Sequence, residues 1–226
     1  MNLNLAEELL LLGLDVESGE LILSVTTSLP YGLAGALILE LHNLNKIEYK
    51  DGKITVQDDS AIGDKVLDDA LHLISSAPEY QEIKYWIKKI VSTFTDIIDK
   101  LINNLVEKGV LKKEERKILW IIPVDTYPIN DPLPTVHTRL RIREIVLEDT
   151  QANQKDLALL SLVKATNLID ELFLKDEKKQ AANIINDLIN NEQIGKAVLD
   201  INSEITAIIA SSVAGSVAAA SVVGTY

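Results

Sequence analysis

A chain of 226 residues with 47% hydrophobic and 25% charged residues can bury a core, which excludes wholesale disorder. Its formal net charge of −12 repels nucleic acid and anionic membranes unless the basic groups are gathered in one place. The absence of cysteine excludes disulfides, thiolate metal sites and cysteine nucleophiles, and fits a reducing compartment.

The first residues, Met1 to Glu8, lack the basic region of a secretory signal. Leu5 to Leu14 reads as a leucine-rich helix, followed by a turn at Asp15 to Gly19 and a short strand from Leu21 to Val25. Ser28 to Gly32 reads as a loop that opens a helix over Leu33 to Leu44. From Ile47 to Val56, apolar alternation on either side of Asp51-Gly52 predicts a hairpin with a type I′ turn. Apolar residues at three- and four-residue spacing predict helices over Gly63 to Ser75, Pro78 to Ser92 and Phe94 to Lys108, the last stopped by Gly109. Val110-Leu111, a polar turn at Lys112 to Arg116 and the run Ile118 to Val124 read as a second hairpin. Asp125 to Pro134, with three of the six prolines, reads as a loop. Further helices are expected over Thr135 to Leu147, Gln154 to Leu172, Asp176 to Asn190 and Ser203 to about Ala220.

From Ile205 to Tyr226 no residue is charged, a length that could span a bilayer. Its alanine, serine, valine and glycine make a poor spanning segment, so a closely packed, buried helix is the expectation. No repeat and no linker rich in glycine, proline or serine interrupts the chain. The fold class that follows is mainly α, a single globular helical domain over residues 1–226 with a few short β-hairpins.

The chemistry-bearing residues do not assemble into a catalytic or metal pattern. His42, His72 and His137 lie in separate segments, without the four-residue spacing of a zinc motif. Gly32-Leu33-Ala34-Gly35 precedes a helix but lacks the lysine and spacing of a nucleotide loop; a helix start there could still hold an anion. Acidic pairs such as Glu7-Glu8 and Asp68-Asp69 point about 100° apart on a helix and suit a solvated face. A binding protein without cofactor or metal, and not an enzyme, is the expectation. The informative charge feature is arginine: three of the four fall at Arg139, Arg141 and Arg143. Arg139 and Arg143 are four apart and share a helical face, whereas Arg141 points elsewhere. The arginine fork suits phosphate and carboxylate, so either an anion site or pairing with the local acids Glu144, Glu148 and Asp149 would account for them.

The stretch Asn104-Leu105-Val106-Glu107-Lys108-Gly109-Val110-Leu111 resembles a hallmark of the Golgi phosphoprotein 3 family of phosphoinositide-binding peripheral proteins. In the same order, Glu7 to Leu14, Gly32 to Gly35 with Leu37 to Leu41, Gly63-Asp64 with Leu67 to Leu71, and Leu159 to Val163 before Leu168-Ile169 are similar to further segments of that family. The resemblance covers nearly the whole chain. It implies a mainly helical domain, no enzymatic activity, and a cytoplasmic, peripherally membrane-associated protein, at the Golgi in eukaryotic members. The partners it implies are a phosphatidylinositol 4-phosphate head group and the cytosolic tails of membrane proteins, not nucleic acid, with homo-oligomerisation left open. By position, the family's lipid site falls on Val25, on Ala34 and on Arg139 to Arg143. Its tryptophan and one of its arginines are therefore replaced by Val25 and Ala34. Leu29, Pro30 and Tyr31 are then expected to supply a membrane-facing loop, with weak affinity and little head-group preference. Two alternatives stand beside this reading. One is a winged-helix-like protein-interaction or DNA-binding module over Leu101 to Val124; the other is a family member that has lost its lipid site.

Overall fold

The computed structural model describes residues 2–16, 18–77, 81–118, 122–190 and 195–222. The side chains of residues 116–124 and 212–222 also lie outside the description.

The first helix, α1 (Leu5–Leu12), opens on a capping box: the Asn4 side chain accepts from Glu7 N at 2.9 Å, and Asn4 N donates to Glu7 Oε2 at 2.9 Å. All eight of its residues are buried, which corrects the solvated face expected for Glu7-Glu8: Lys108 pairs with Glu7 at 2.6 Å, and Arg141 and Lys155 pair with Glu8 at 2.9 and 3.1 Å. Two further helices pack against it and against each other, α2 (Leu29–Asn43) and α7 (Gln154–Ala165). Gly32 of α2 makes this approach close: a Cβ there would lie 2.2 Å from Thr166 Cγ2 and 3.1 Å from Leu9 Cδ2. Around this centre lie α3 (Lys65–Ser75), α4 (Ile83–Thr93), α5 (Ile97–Glu107), α6 (Leu133–Leu147), α8 (Ile169–Leu172), α9 (Lys178–Ile189) and α10 (Lys196–Val222). One continuous apolar core joins them.

Two antiparallel hairpins complete the described residues. In the first, β1 (Ile47–Lys50) pairs with β2 (Lys53–Val56), and Asp51 and Gly52 take φ of 51° and 82°. Two positive φ values are the signature of the expected type I′ turn. Gly109, at φ 73°, ends α5 as expected: it supplies the left-handed residue that lets Val110 N reach Leu105 O at 2.9 Å.

The structure corrects several boundaries. Leu21 to Val25 is not a strand: Leu21 makes one bridge with Leu14, and Leu23–Val25 forms a 3₁₀ turn. Among the described residues no further strand lies beside this segment to extend the pairing, and the backbone closes on itself through Val25 N to Ile22 O at 3.2 Å. Ser28 to Gly32 is not a loop; Ser28 is the N-cap of α2 and Pro30 lies in its first turn, where a fixed φ and a missing N–H cost nothing. The second hairpin is shifted along the chain. Glu114 to Arg116, expected in its turn, lie in β3 (Glu114–Ile118), which pairs with β4 (Ile122–Thr126) in the register Glu114↔Thr126. A two-stranded ribbon can carry charge in its strands, and ion pairs Lys112–Glu114 and Lys113–Asp125, both at 2.6 Å, line this one. The helix expected over Gln154 to Leu172 breaks after Ala165, where Asn167 at φ 65° and Leu168 N to Val163 O at 2.9 Å form a left-handed stop. The C-terminal helix starts earlier than expected, at Lys196, and Ile201, Ile205 and Ile208 are buried. Its close approach is set by Gly35 of α2, whose added Cβ would lie 2.5 Å from Ile205 Cδ1. The expectation for residues 212–226 as buried side chains falls outside the described residues. Among the described residues, no helix is long and apolar enough to cross a membrane.

One polar contact gives a pH test of this scaffold. Lys46, almost fully buried at the end of α2, donates to Asp58 Oδ2 at 2.6 Å and to Ser60 O and Oγ at 2.7 Å. The Lys46 hydrogen bond and two from Ser60 hold the Asp58 carboxyl at about 2, below its ordinary 3.8. A depressed carboxylate contributes stability above its unfolded pKa and loses it as pH falls through the folded one. Asp58→Asn should therefore melt below the wild type at neutral pH, and the two melting curves should converge as pH falls from 3.8 to about 2. A gap that persists at the acid end would refute this assignment.

Candidate functional site

Helix α6 begins after Asp131, whose carboxylate accepts from Leu133 N at 3.0 Å. Its inner face buries Thr135, Thr138, Ile142, Ile145 and Val146. Its outer face is apolar too, with Leu133, Val136 and Leu140 all exposed at helical spacing. The arginines flank this outer row, and each reaches a different partner. Arg139 Nη2 donates to Leu12 O at 3.2 Å and Leu14 O at 3.4 Å, which satisfies carbonyls left open at the C-terminal end of α1. Burial pushes its guanidinium below the ordinary value, against the opposing fields of Asp15 and Glu171. Arg143 forms a fork on Glu177, with both N–O distances 2.9 Å, and also donates to Leu172 O at 3.1 Å. That hydrogen-bonded pair raises the Arg143 pKa and lowers the Glu177 pKa. Arg141 leaves by the other flank, to Glu8 Oε2 at 2.9 Å and Asp156 Oδ1 at 2.7 Å.

The expected division therefore holds, with Arg139 and Arg143 on one side and Arg141 on another. The expectation of a free basic patch does not: each of the three is engaged by the protein itself. The partners are also remote in sequence; none is Glu144, Glu148 or Asp149.

Leu29, Pro30 and Tyr31 do not form a membrane-facing tip. Leu29 is fully buried, with Cδ2 3.0 Å from where a Gly13 Cβ would stand, and Pro30 and Tyr31 are half-buried in the first turn of α2. Val25 and Ala34, at the two substituted family positions, are fully buried. The exposed large apolar residue of the described part of this region is instead Leu23, at 87%. A strand would place Leu21, Leu23 and Val25 on one face; the three-residue period of the 3₁₀ turn puts Ile22 with Val25 and turns Leu23 outward. Ser24 Oγ donates to Glu171 Oε1 at 2.7 Å, which fastens this turn to α8. Glu177 Oε2 accepts from Leu174 N at 2.9 Å, and Leu174 is 63% exposed. Leu23 and Leu174 thus flank Arg139, Glu171 and Arg143, beside Leu140 at 51%. Sequence patterning missed Leu23 and Leu174 because one lies in an expected strand and the other follows a helix end.

On the opposite flank, a cavity of about 510 Å³ is lined by Leu3, Glu8, Asp131, His137, Arg141 and Lys155, among others. Lys155 Nζ donates to Glu8 Oε1 at 3.1 Å, so Arg141 and Lys155 are balanced by Glu8 and Asp156. The winged-helix alternative meets an electrostatic obstacle: the exposed row of α5 is Asp99, Asn103 and Glu107, which repels phosphate. Among the described residues, no three His, Cys, Asp or Glu are grouped to hold a metal ion.

Helical core, paired hairpins and the ordered segments define a known class. The Golgi phosphoprotein 3 (GPP34) sequence profile matches residues 5–205, and the chain belongs to that family. It is similar to vacuolar protein sorting-associated protein 74 of Schizosaccharomyces pombe, with 28% identity over 150 residues. That match covers 57% of this chain and 44% of the yeast protein, so it spans less than half the length of that relative.

Proposed function

We propose that this chain is a non-enzymatic, peripheral membrane-binding protein that serves sorting, the role named for its yeast relative. It meets the bilayer through the corner around Leu23, Leu140 and Leu174. The observation that carries this reading is the exposure of three leucines around Arg139 and Arg143, which water alone does not favour. Apolar side chains enter the interface while nearby cations meet lipid phosphates. Because both arginines already hold protein partners, the head group gains few new bonds. Affinity is then modest, and phosphatidylinositol 4-phosphate is bound little better than another anionic lipid at equal charge.

Sedimentation with vesicles of phosphatidylcholine alone, with phosphatidylserine, and with phosphatidylinositol 4-phosphate tests this. Leu23→Asp with Leu174→Asp should weaken binding about tenfold for each leucine withdrawn from the interface. Both side chains are exposed, so the melting temperature should hold. Strong preference for phosphatidylinositol 4-phosphate, or unchanged binding by the double variant, would overturn the reading. A second reading, protein contacts only, is favoured by the engagement of each of the three arginines with protein groups; it predicts no vesicle binding of any kind.

A further inference from the structure

Helix α4 reads Ile83-Lys84-Tyr85-Trp86-Ile87-Lys88-Lys89-Ile90-Val91-Ser92-Thr93. Ile83, Trp86, Ile87 and Ile90 are buried, so Lys84, Tyr85, Lys88 and Lys89 stand together on the solvent face in two adjacent rows. The helix has three lysines and no acid, in a chain of net charge −12. Elsewhere lysines are commonly paired: Lys46, Lys108 and Lys113 each lie 2.6 Å from a carboxylate. Here Lys84 comes only within 3.8 Å of Glu204, and among the described residues Lys88 and Lys89 have no ion-pair partner. Next to α4, the backbone of Lys53 pairs with that of Glu82; Glu82, Asp200 and Glu204 line one hollow with Lys84, so the unbalanced charge of α4 sits at Lys88 and Lys89.

The direction of α4 is set by its contacts. Asp200 of α10 meets Tyr49 of the hairpin, and Ile205 lies against Gly35, so α10 runs from the hairpin toward the N-terminal end of α2. Glu82 sits by the hairpin and Lys84 by Glu204, so α4 runs the same way. Lys88 and Lys89 therefore lie toward the end of α2 that follows Leu23.

We propose that the lysine face of α4 is an electrostatic docking surface for an anionic lipid bilayer. This rests on the peripheral-membrane reading and adds to it a second contact, which orients the protein. Lysine supplies flexible point charges without the bidentate geometry that selects one phosphate or carboxylate, so the face suits a fluid sheet of charge. Tyr85, 43% exposed and stacked edge-on against Trp86 at 5.1 Å, presents an amphipathic ring at the same level. The acidic remainder of the surface is repelled by the same bilayer, which leaves this face as the favoured approach.

The full chain is tested with vesicles of phosphatidylcholine containing about 30% phosphatidylserine in about 0.05 M salt, where surface charge is weakly screened. Lys84→Gln, Lys88→Gln and Lys89→Gln together should lower partitioning on the order of 100-fold, with unchanged circular dichroism. Amine acetylation read by mass spectrometry gives a test without substitution: anionic vesicles, but not neutral ones, should protect Lys84, Lys88 and Lys89, while Lys65, beside Asn103 and Glu107 of the outer row of α5, reacts as before. Unchanged partitioning or equal acetylation overturns the inference. If Leu23→Asp abolishes binding and the lysine variant does not, only the lysine face falls. If the wild type binds no vesicle, the peripheral reading falls with it. Protection by polyglutamate but not by vesicles would assign the face to an acidic protein instead.

Discussion

Replacing Arg139 and Arg143 together with alanine should lower the melting temperature by roughly 10 °C, well before any question of ligand arises. Arg139 supplies the donors for two carbonyls at the end of α1, Leu12 O and Leu14 O. Hydrogen bonds to charged groups contribute about 1.5–3 kcal/mol, and their loss leaves buried acceptors without partners. Arg143 adds its fork on Glu177, but both side chains are partly exposed, at 32% and 22%, so most of the loss comes from Arg139. A total of about 3–5 kcal/mol, at roughly 2–4 °C per kcal/mol for a chain of this size, gives the stated shift. A thermal melt followed by circular dichroism checks it. A shift of only a degree or two would mean that the guanidinium groups are free, as a dedicated anion patch requires. The practical consequence is that lost vesicle binding in this double variant cannot be read as loss of a lipid ligand; Leu23 and Leu174 are the informative positions.

Gly19→Ala should be the most damaging glycine substitution among the turns, at about 3 kcal/mol. Gly19 has φ +70°, and a Cβ there would lie 2.3 Å from Tyr127 O and 2.7 Å from Tyr127 C. The left-handed conformation costs a side-chain-bearing residue about 1–2 kcal/mol. Relieving a backbone overlap adds about 1–3 kcal/mol. Since the obstacle is backbone, no rotamer change removes it, and the loop from Leu14 to Ile22 must lift from Tyr127. That loop carries Asp15, which faces Arg139, and leads directly into Leu23. Gly52→Ala is the control. Its φ is similar, at +82°, but nothing lies within 4 Å of the added Cβ, so only the conformational cost applies. Urea unfolding of the two variants should separate them by about 2 kcal/mol. Equal losses would show that the contact with Tyr127 does not constrain the loop.

The sequence is most legible where one local rule acts alone. Asp51-Gly52 demanded a type I′ turn whatever surrounds it, and Gly109 demanded a helix stop. Helix α1 was readable from its run of leucines, but the burial of Glu7 and Glu8 was not, because their partners Lys108, Arg141 and Lys155 lie far along the chain. Legibility ends where the answer lies far along the chain. Arg143 is paired 34 residues away with Glu177, Arg141 is paired 133 residues away with Glu8, and Arg139 reaches Leu12 across 127 residues. A local window offers Glu144, Glu148 and Asp149 as partners, and none is used by these arginines. Leu23 was hidden for a different reason: five apolar-rich residues satisfy a strand pattern, but only Leu21 finds a partner, and the rest close into a 3₁₀ turn. The lysines of α4 were visible as charges on a helix. That they lack acids depends on which neighbours the fold brings near.

The most direct test of the account uses the absence of cysteine, which makes Leu23→Cys the single labelling site in the chain. A polarity-sensitive fluorophore on that residue should shift to the blue on vesicles containing phosphatidylserine, since an exposed apolar position enters the interface. The same label on Asp99→Cys, on the acidic outer row of α5, should stay unchanged. A blue shift at position 23 alone is the predicted result. No shift at position 23 while the labelled protein sediments with the vesicles would contradict the account, because the bilayer would then be meeting another face.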